Sequence, residues 1–154
     1  MGEAYFYHLT ERPLEVTLRV LLQKSVQAGW RVAIRGRTEA TLRQLDEQLW
    51  LQPHDSFLPH GCAGGDHDGA QPILLTTGVA SNDPRCIVSV EGAEIAPGEV
   101  GEMARVMVLF DGHDEASLQV AREQWKTLTA AGCGAKYWSE ASGRWEMKAE
   151  SAGS

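Results

Sequence analysis

The side chains of this sequence with the types and spacing that chemistry needs fall into a few groups. His54, His60, Cys62 and His67 lie within fourteen residues, with Asp55, Asp66 and Asp68 beside them. That composition suits a transition metal, but structural zinc takes paired ligands two to four residues apart. Only His60 and Cys62 are that close, and the glycines that follow favour mobility. No metal is expected. A phosphate cradle is the second possibility, and its best candidate is Gly61-Cys62-Ala63-Gly64-Gly65. Asp66-His67-Asp68 follows it where a P-loop needs lysine, and neither G-x-G-x-x-G nor G-x-x-x-x-G-K-[ST] occurs. No G-x-S-x-G and no paired Cys or Ser with His marks a nucleophile.

The last group is Arg122, Trp125 and Lys126 in the stretch Leu118-Gln119-Val120-Ala121-Arg122-Glu123-Gln124-Trp125-Lys126. On a helix, residues four apart share a face, so Arg122 and Lys126 form a like-charge pair that costs a few tenths of a kcal/mol. An anion offsets that cost. With an indole three residues from the arginine, the patch suits a ligand both acidic and aromatic. The plainer reading places Trp125 in the core and both cations in water.

The elements that hold these groups read from periodicity. Residues 3–9 mix Tyr5, Phe6 and Tyr7 with polar residues and stop at Thr10, as a strand does. Pro13 suits a first helical turn, and Leu14, Leu18, Leu21, Leu22 and Val26 recur at helical spacing up to Gly29. Residues 31–35 form a second strand, and Thr38 caps a second helix bearing Leu42, Leu45, Leu49 and Trp50. Strand, helix, strand, helix implies parallel strands joined by crossovers.

Residues 52–71, rich in Pro, Gly, His and Asp, read as exposed loop. Residues 72–76 and 86–90 read as buried strands separated by Asn82-Asp83-Pro84, and Pro97-Gly98 as a turn. A strand over 105–110 is followed by a helix from the Asp114 cap to Ala131, closed by Gly132. Residues 136–139 and 144–148 flank Gly143 as a terminal strand pair. The expected fold is a three-layer α/β/α domain with a largely parallel or mixed sheet. It fills residues 1–150, and residues 151–154 are expected to be a disordered tail.

At 154 residues the chain has the length of one domain, and 43% hydrophobic residues are enough for a core. Residues 1–50 carry 7 basic and 6 acidic groups, residues 51–100 carry 1 and 7, and residues 101–154 carry 6 and 8. A net charge of −7 and a pI near 5.2 argue against nucleic acid as the main ligand. No apolar run approaches the roughly 20 residues of a membrane span, and no signal peptide opens the chain. A cytoplasmic protein is expected, with three reduced cysteines and no cofactor.

Six segments taken together resemble the chi subunit of bacterial DNA polymerase III. They are Phe6-Tyr7-His8-Leu9, Gly29-Trp30-Arg31-Val32, Leu45-Asp46-Glu47-Gln48-Leu49-Trp50, Asp55-Ser56-Phe57-Leu58-Pro59-His60-Gly61, Gln71-Pro72-Ile73-Leu74-Leu75-Thr76 and Ala121-Arg122-Glu123-Gln124-Trp125-Lys126. The resemblance implies a non-catalytic clamp-loader accessory whose fold is like that of nucleotide-binding domains but lacks a phosphate loop. It implies binding of the acidic C-terminal tail of single-stranded DNA-binding protein, which ends in a phenylalanine with a free carboxylate. The tail pocket it assigns is Arg122, Trp125, Lys126, Trp50 and Phe110. Phe57 and Pro59 are assigned to a second surface, for the psi subunit of the clamp loader or an XPD-type helicase. The rival from another class is a small nucleotide- or metal-dependent enzyme on the same scaffold.

Overall fold

A computed structural model describes residues 3–10, 14–51, 60–62, 72–78, 82–139 and 145–151, with 49–51 and 60–62 described by backbone alone. In chain order the elements are β1 (Glu3–Leu9), α1 (Leu14–Gln27), β2 (Val32–Arg35), α2 (Glu39–Leu51), β3 (His60–Cys62), β4 (Ile73–Thr76), β5 (Cys86–Ser89), α3 (Pro97–Glu102), β6 (Arg105–Asp111), α4 (Glu115–Ala130), β7 (Gly134–Ser139) and β8 (Glu146–Ser151). The strands form one sheet in the order β3-β4-β2-β5-β6-β1-β7-β8. Every neighbouring pair is parallel except β7 with β8. The expected three-layer α/β architecture is present.

The sheet's two faces carry two cores. In parallel pairing, opposed residues point to the same side, and β1 is paired on both of its edges. Ala4 and Phe6 therefore share a face with Val106, Val108 and Ala135, and with Ala33 and Ile87 further along the sheet. Ala121 and Leu128 of α4 and Val100 of α3 pack on this face. Leu9, Leu109, Val88 and Ile34 belong to the core of the other face, which Leu18 and Leu22 of α1 and Leu42 and Leu45 of α2 cover. Leu18, Leu22 and Leu128 are wholly buried, each contributing roughly 1.5–3 kcal/mol relative to exposure.

Two helices stop by the same local device. Trp30 N–H bonds Ser25 C=O and Gly29 N–H bonds Val26 C=O at the end of α1; Cys133 to Leu128 and Gly132 to Thr129 repeat the pattern after α4. This double bond pair needs a left-handed residue, which Gly132 supplies at φ 89°.

Four expectations are corrected. Residues 60–62, read as loop, form β3, because β4 offers them a parallel partner at the sheet edge. Pro97-Gly98, read as a turn, opens the six-residue α3, with proline in its first turn and the Glu99 carboxylate accepting the Ala96 N–H. β7 begins at Gly134, two residues before the expected start, because β1 pairs from Glu3 onward. Ser151 closes β8, so the sheet takes the first residue of the expected tail; residues 152–154 lie outside the described ones. Among the described residues no helix is long and apolar enough to cross a membrane.

Candidate functional site

Arg122, Trp125 and Lys126 stand on α4, whose first turn is fixed by Asp114. Its carboxylate accepts the Ala116 N–H at 3.3 Å and the Ser117 hydroxyl at 2.7 Å. The helix buries Ala121 and Leu128, which turns Arg122 and Lys126 outward, both exposed, and leaves Trp125 half-buried between core and solvent. The expected placing of Trp125 in the core therefore holds in part. Its ring packs edge-to-face on Phe6 at 5.4 Å and on Tyr137 at 6.1 Å, contacts worth about 0.5–1.5 kcal/mol beyond area. Among the described residues neither Arg122 nor Lys126 forms an ion pair.

The aromatic surface continues past the residues that the resemblance assigned. The Tyr137 hydroxyl lies 2.8 Å from His8 Nδ1, and Phe110 packs against both rings, at 5.3 Å from His8 and 5.9 Å from Tyr137. His8, next to last in β1, lies beside Phe110, its register partner, while Tyr137 lies opposite Phe6. Phe6, Trp125, Tyr137, Phe110 and His8 form one contiguous cluster on the α4 face. The β7–β8 ladder shifts register at Tyr137/Trp138, an irregularity at the residue that meets His8. A Cβ at position 112 would collide with the His8 imidazole, so only glycine lets the turn after β6 close over that ring.

Electrostatics tie Arg122 to the same cluster. The His8 pKa is lowered, first by burial, then by the charges of His113 and Arg122; a hydrogen bond to the Gly112 backbone and the Asp111 carboxylate oppose the shift. Burial raises the Tyr137 hydroxyl, and Arg122 pulls it back. An exposed guanidinium beside half-buried rings can take a carboxylate through two parallel hydrogen bonds while the rings cover an apolar side chain.

The other assigned residues fare differently. Phe110 is only 5% exposed, so it forms the floor of the cluster rather than an open contact. Trp50 lies on α2, which packs over β3 and β4 in the opposite layer, whereas α4 packs over β6 and β7. No described contact brings Trp50 to Arg122, and its side chain lies outside the described residues. Phe57 and Pro59 lie outside them too, as do His54 and His67. Sequence reasoning missed Tyr137 and did not use His8. The only signal was His8 itself, within a segment that the resemblance had singled out.

The nucleotide site of comparable α/β domains meets a specific obstacle here. Glu91, at φ 60° just beyond β5, turns its carboxylate onto the start of α2. Glu91 Oε1 accepts the backbone N–H groups of Arg37 at 2.8 Å and Thr38 at 3.0 Å, and Oε2 accepts the Thr41 hydroxyl at 2.7 Å. At the N-terminus of α2, where a phosphate could otherwise bind, there is thus an internal anion. The 230 Å³ crevice beside it is walled by Leu45, Val90, Leu109 and Val120, and among the described residues its charged lining is Glu91 and Asp111.

Comparison with known proteins bears on the same stretch of chain. Residues 1–136 match the family described as DNA polymerase III chi subunit, HolC. DNA polymerase III subunit chi of Escherichia coli K12 is 27% identical over 106 residues, covering 69% of this chain and 71% of that protein. DNA polymerase III subunit chi of Pseudomonas aeruginosa is 30% identical over 113 residues, covering 73% and 76%.

Proposed function

Since the chain belongs to the DNA polymerase III chi subunit family, a replication accessory subunit and not a catalytic one, we propose that it recruits single-stranded DNA-binding protein to the replisome. The Arg122, Trp125 and Lys126 patch binds that protein's acidic C-terminal tail in the cytoplasm. Arg122 holds the terminal carboxylate, Lys126 attracts the acidic residues before it, and the last phenyl ring lies against Trp125 above a floor that includes Phe110. Trp50 remains part of the assignment by resemblance only, and the reading does not lean on it. A second surface at Phe57 and Pro59, assigned by the resemblance, links the protein to psi or to an XPD-type helicase.

The observation that carries this reading is the exposed Arg122, without an ion pair among the described residues, beside the half-buried Trp125. It opposes the enzyme alternative together with the Glu91 carboxylate on the α2 N-terminus. The test is a calorimetric titration with an acidic peptide ending in Pro-Phe with a free carboxylate. Saturable binding that Arg122→Ala weakens supports the proposal; no binding, or binding indifferent to Arg122, overturns it.

A further inference from the structure

Deepening the tail-site reading above, on which this rests, we infer that His8 is a second carboxylate-recognition residue of that site, hydrogen-bonded to Tyr137 and taking up a proton as the anion docks. The Tyr137 hydroxyl sits 2.8 Å from Nδ1, the Phe110 ring packs at 5.3 Å, and Gly112 leaves room for the ring where any side chain would fill it. These contacts come from two strands and one turn, so the imidazole on β1 is held in a fixed position beside the patch. It is only part-buried, unlike Phe110, and with Tyr137 and the Gly112 backbone as its hydrogen-bond partners it meets a docked anion through its charge.

The charges around His8 determine what docking does. Facing it are Tyr137 on β7, Arg122 on α4, Asp111 at the end of β6 and His113 in the turn that follows. In the free protein, burial and the positive neighbours hold the imidazole neutral near neutral pH, below its ordinary titration range. A carboxylate on Arg122 cancels that cation's repulsion and adds an attraction, so the bound protein holds the His8 proton more tightly. Proton uptake and binding then favour each other. Affinity should be flat at high pH, where His8 is neutral free or bound. It should rise as pH falls through the bound-state value and level off below the free-state value.

The same tail peptide, titrated into the full protein from pH 8 to pH 5.5, tests this. Wild type should gain about threefold or more, with one proton setting a ceiling of tenfold per pH unit. The peptide's own carboxylates titrate near pH 4 and do not interfere. In buffers of different ionisation enthalpy, the binding heat should report uptake of up to one proton. His8→Gln should bind with a pH-independent affinity, whereas His113→Asn should keep the wild-type profile. Because His8→Gln can disturb the cluster, the wild-type His8 imidazole is also followed by NMR: its titration should move upward when peptide is added. A flat wild-type profile, an unmoved imidazole, or a pH dependence lost in His113→Asn and kept in His8→Gln overturns the inference while leaving tail binding intact. Absence of binding at every pH overturns both.

Discussion

The Glu91 carboxylate accepts the backbone N–H of Thr38 at 3.0 Å across 53 residues of sequence. With the Arg37 N–H and the Thr38 and Thr41 hydroxyls also on it, the first turn of α2 is capped by a residue just beyond β5. A sheet that is wound like a nucleotide-binding domain therefore presents no vacant helix N-terminus at this point.

Removing this cap should cost stability rather than function. Glu91→Ala should lower stability by about 1 kcal/mol, as for other lost N-caps, and leave tail-peptide affinity unchanged. Thermal unfolding of the variant with and without phosphate adds a second readout: the emptied turn should gain more from the anion than wild type does. Equal stability of the two proteins would mean that the Glu91 bonds contribute nothing.

Acid should unfold the protein partly through two carboxylates. Burial tends to raise the Glu91 pKa, but the hydroxyl and backbone donors outweigh it, and the Arg35 guanidinium, bonded at 2.8 and 2.6 Å, lowers that of Glu99. Groups with depressed folded-state values contribute their full stability above the ordinary unfolded value of about 4.3. That contribution fades as pH falls below it and through the folded values. Urea midpoints measured from pH 6 to pH 2.5 should decline in that window, and less steeply in Glu99→Gln, which has no such charge to lose.

Arg122→Ala should weaken tail-peptide binding by about 1.5–3 kcal/mol, the range for a lost hydrogen bond to a charged group. The fold should survive, since the side chain is exposed on α4. Arg122→Lys should restore little, because an ammonium cannot grip a carboxylate with two parallel bonds. Calorimetry checks affinity and circular dichroism checks folding.

Salt should weaken the complex without abolishing it. Exposed cations such as Arg122 and Lys126 are screened over about 8–10 Å near physiological ionic strength, whereas contact with the Trp125 ring is not. Amidating the last phenylalanine of the peptide should cost more than high salt removes. Equal affinity of acid and amide would disprove carboxylate recognition.

Phe57→Ala should impair a psi or helicase pull-down and leave tail affinity within about 0.5 kcal/mol, as for well-separated residues without shared partners. Arg122→Ala should do the reverse. Loss of tail binding in a well-folded Phe57→Ala protein would merge the two surfaces.

The sequence by itself determined the elements whose signals are local. The apolar spacing of Leu14, Leu18 and Leu22, the Asp114 cap and the closing Gly132 act within a few residues, and α1 and α4 formed where that pattern placed them. Alternation of helices with strands likewise announced a parallel three-layer sheet. Tertiary structure decided what depends on distant partners. Three residues of β3 are a strand only because β4 pairs with them, and α3 owes its first turn to a carboxylate that Arg35 holds from another strand. Strand order placed α2, which carries Trp50, and α4, which carries Arg122, in opposite layers. His8 and Tyr137 stand 129 positions apart, and parallel pairing of β1 with β7 brings their polar atoms within 2.8 Å. Residue type announced Arg122 and Trp125, but contacts closed over such separations leave no periodicity in the chain, so their aromatic neighbours emerged only from the folded sheet.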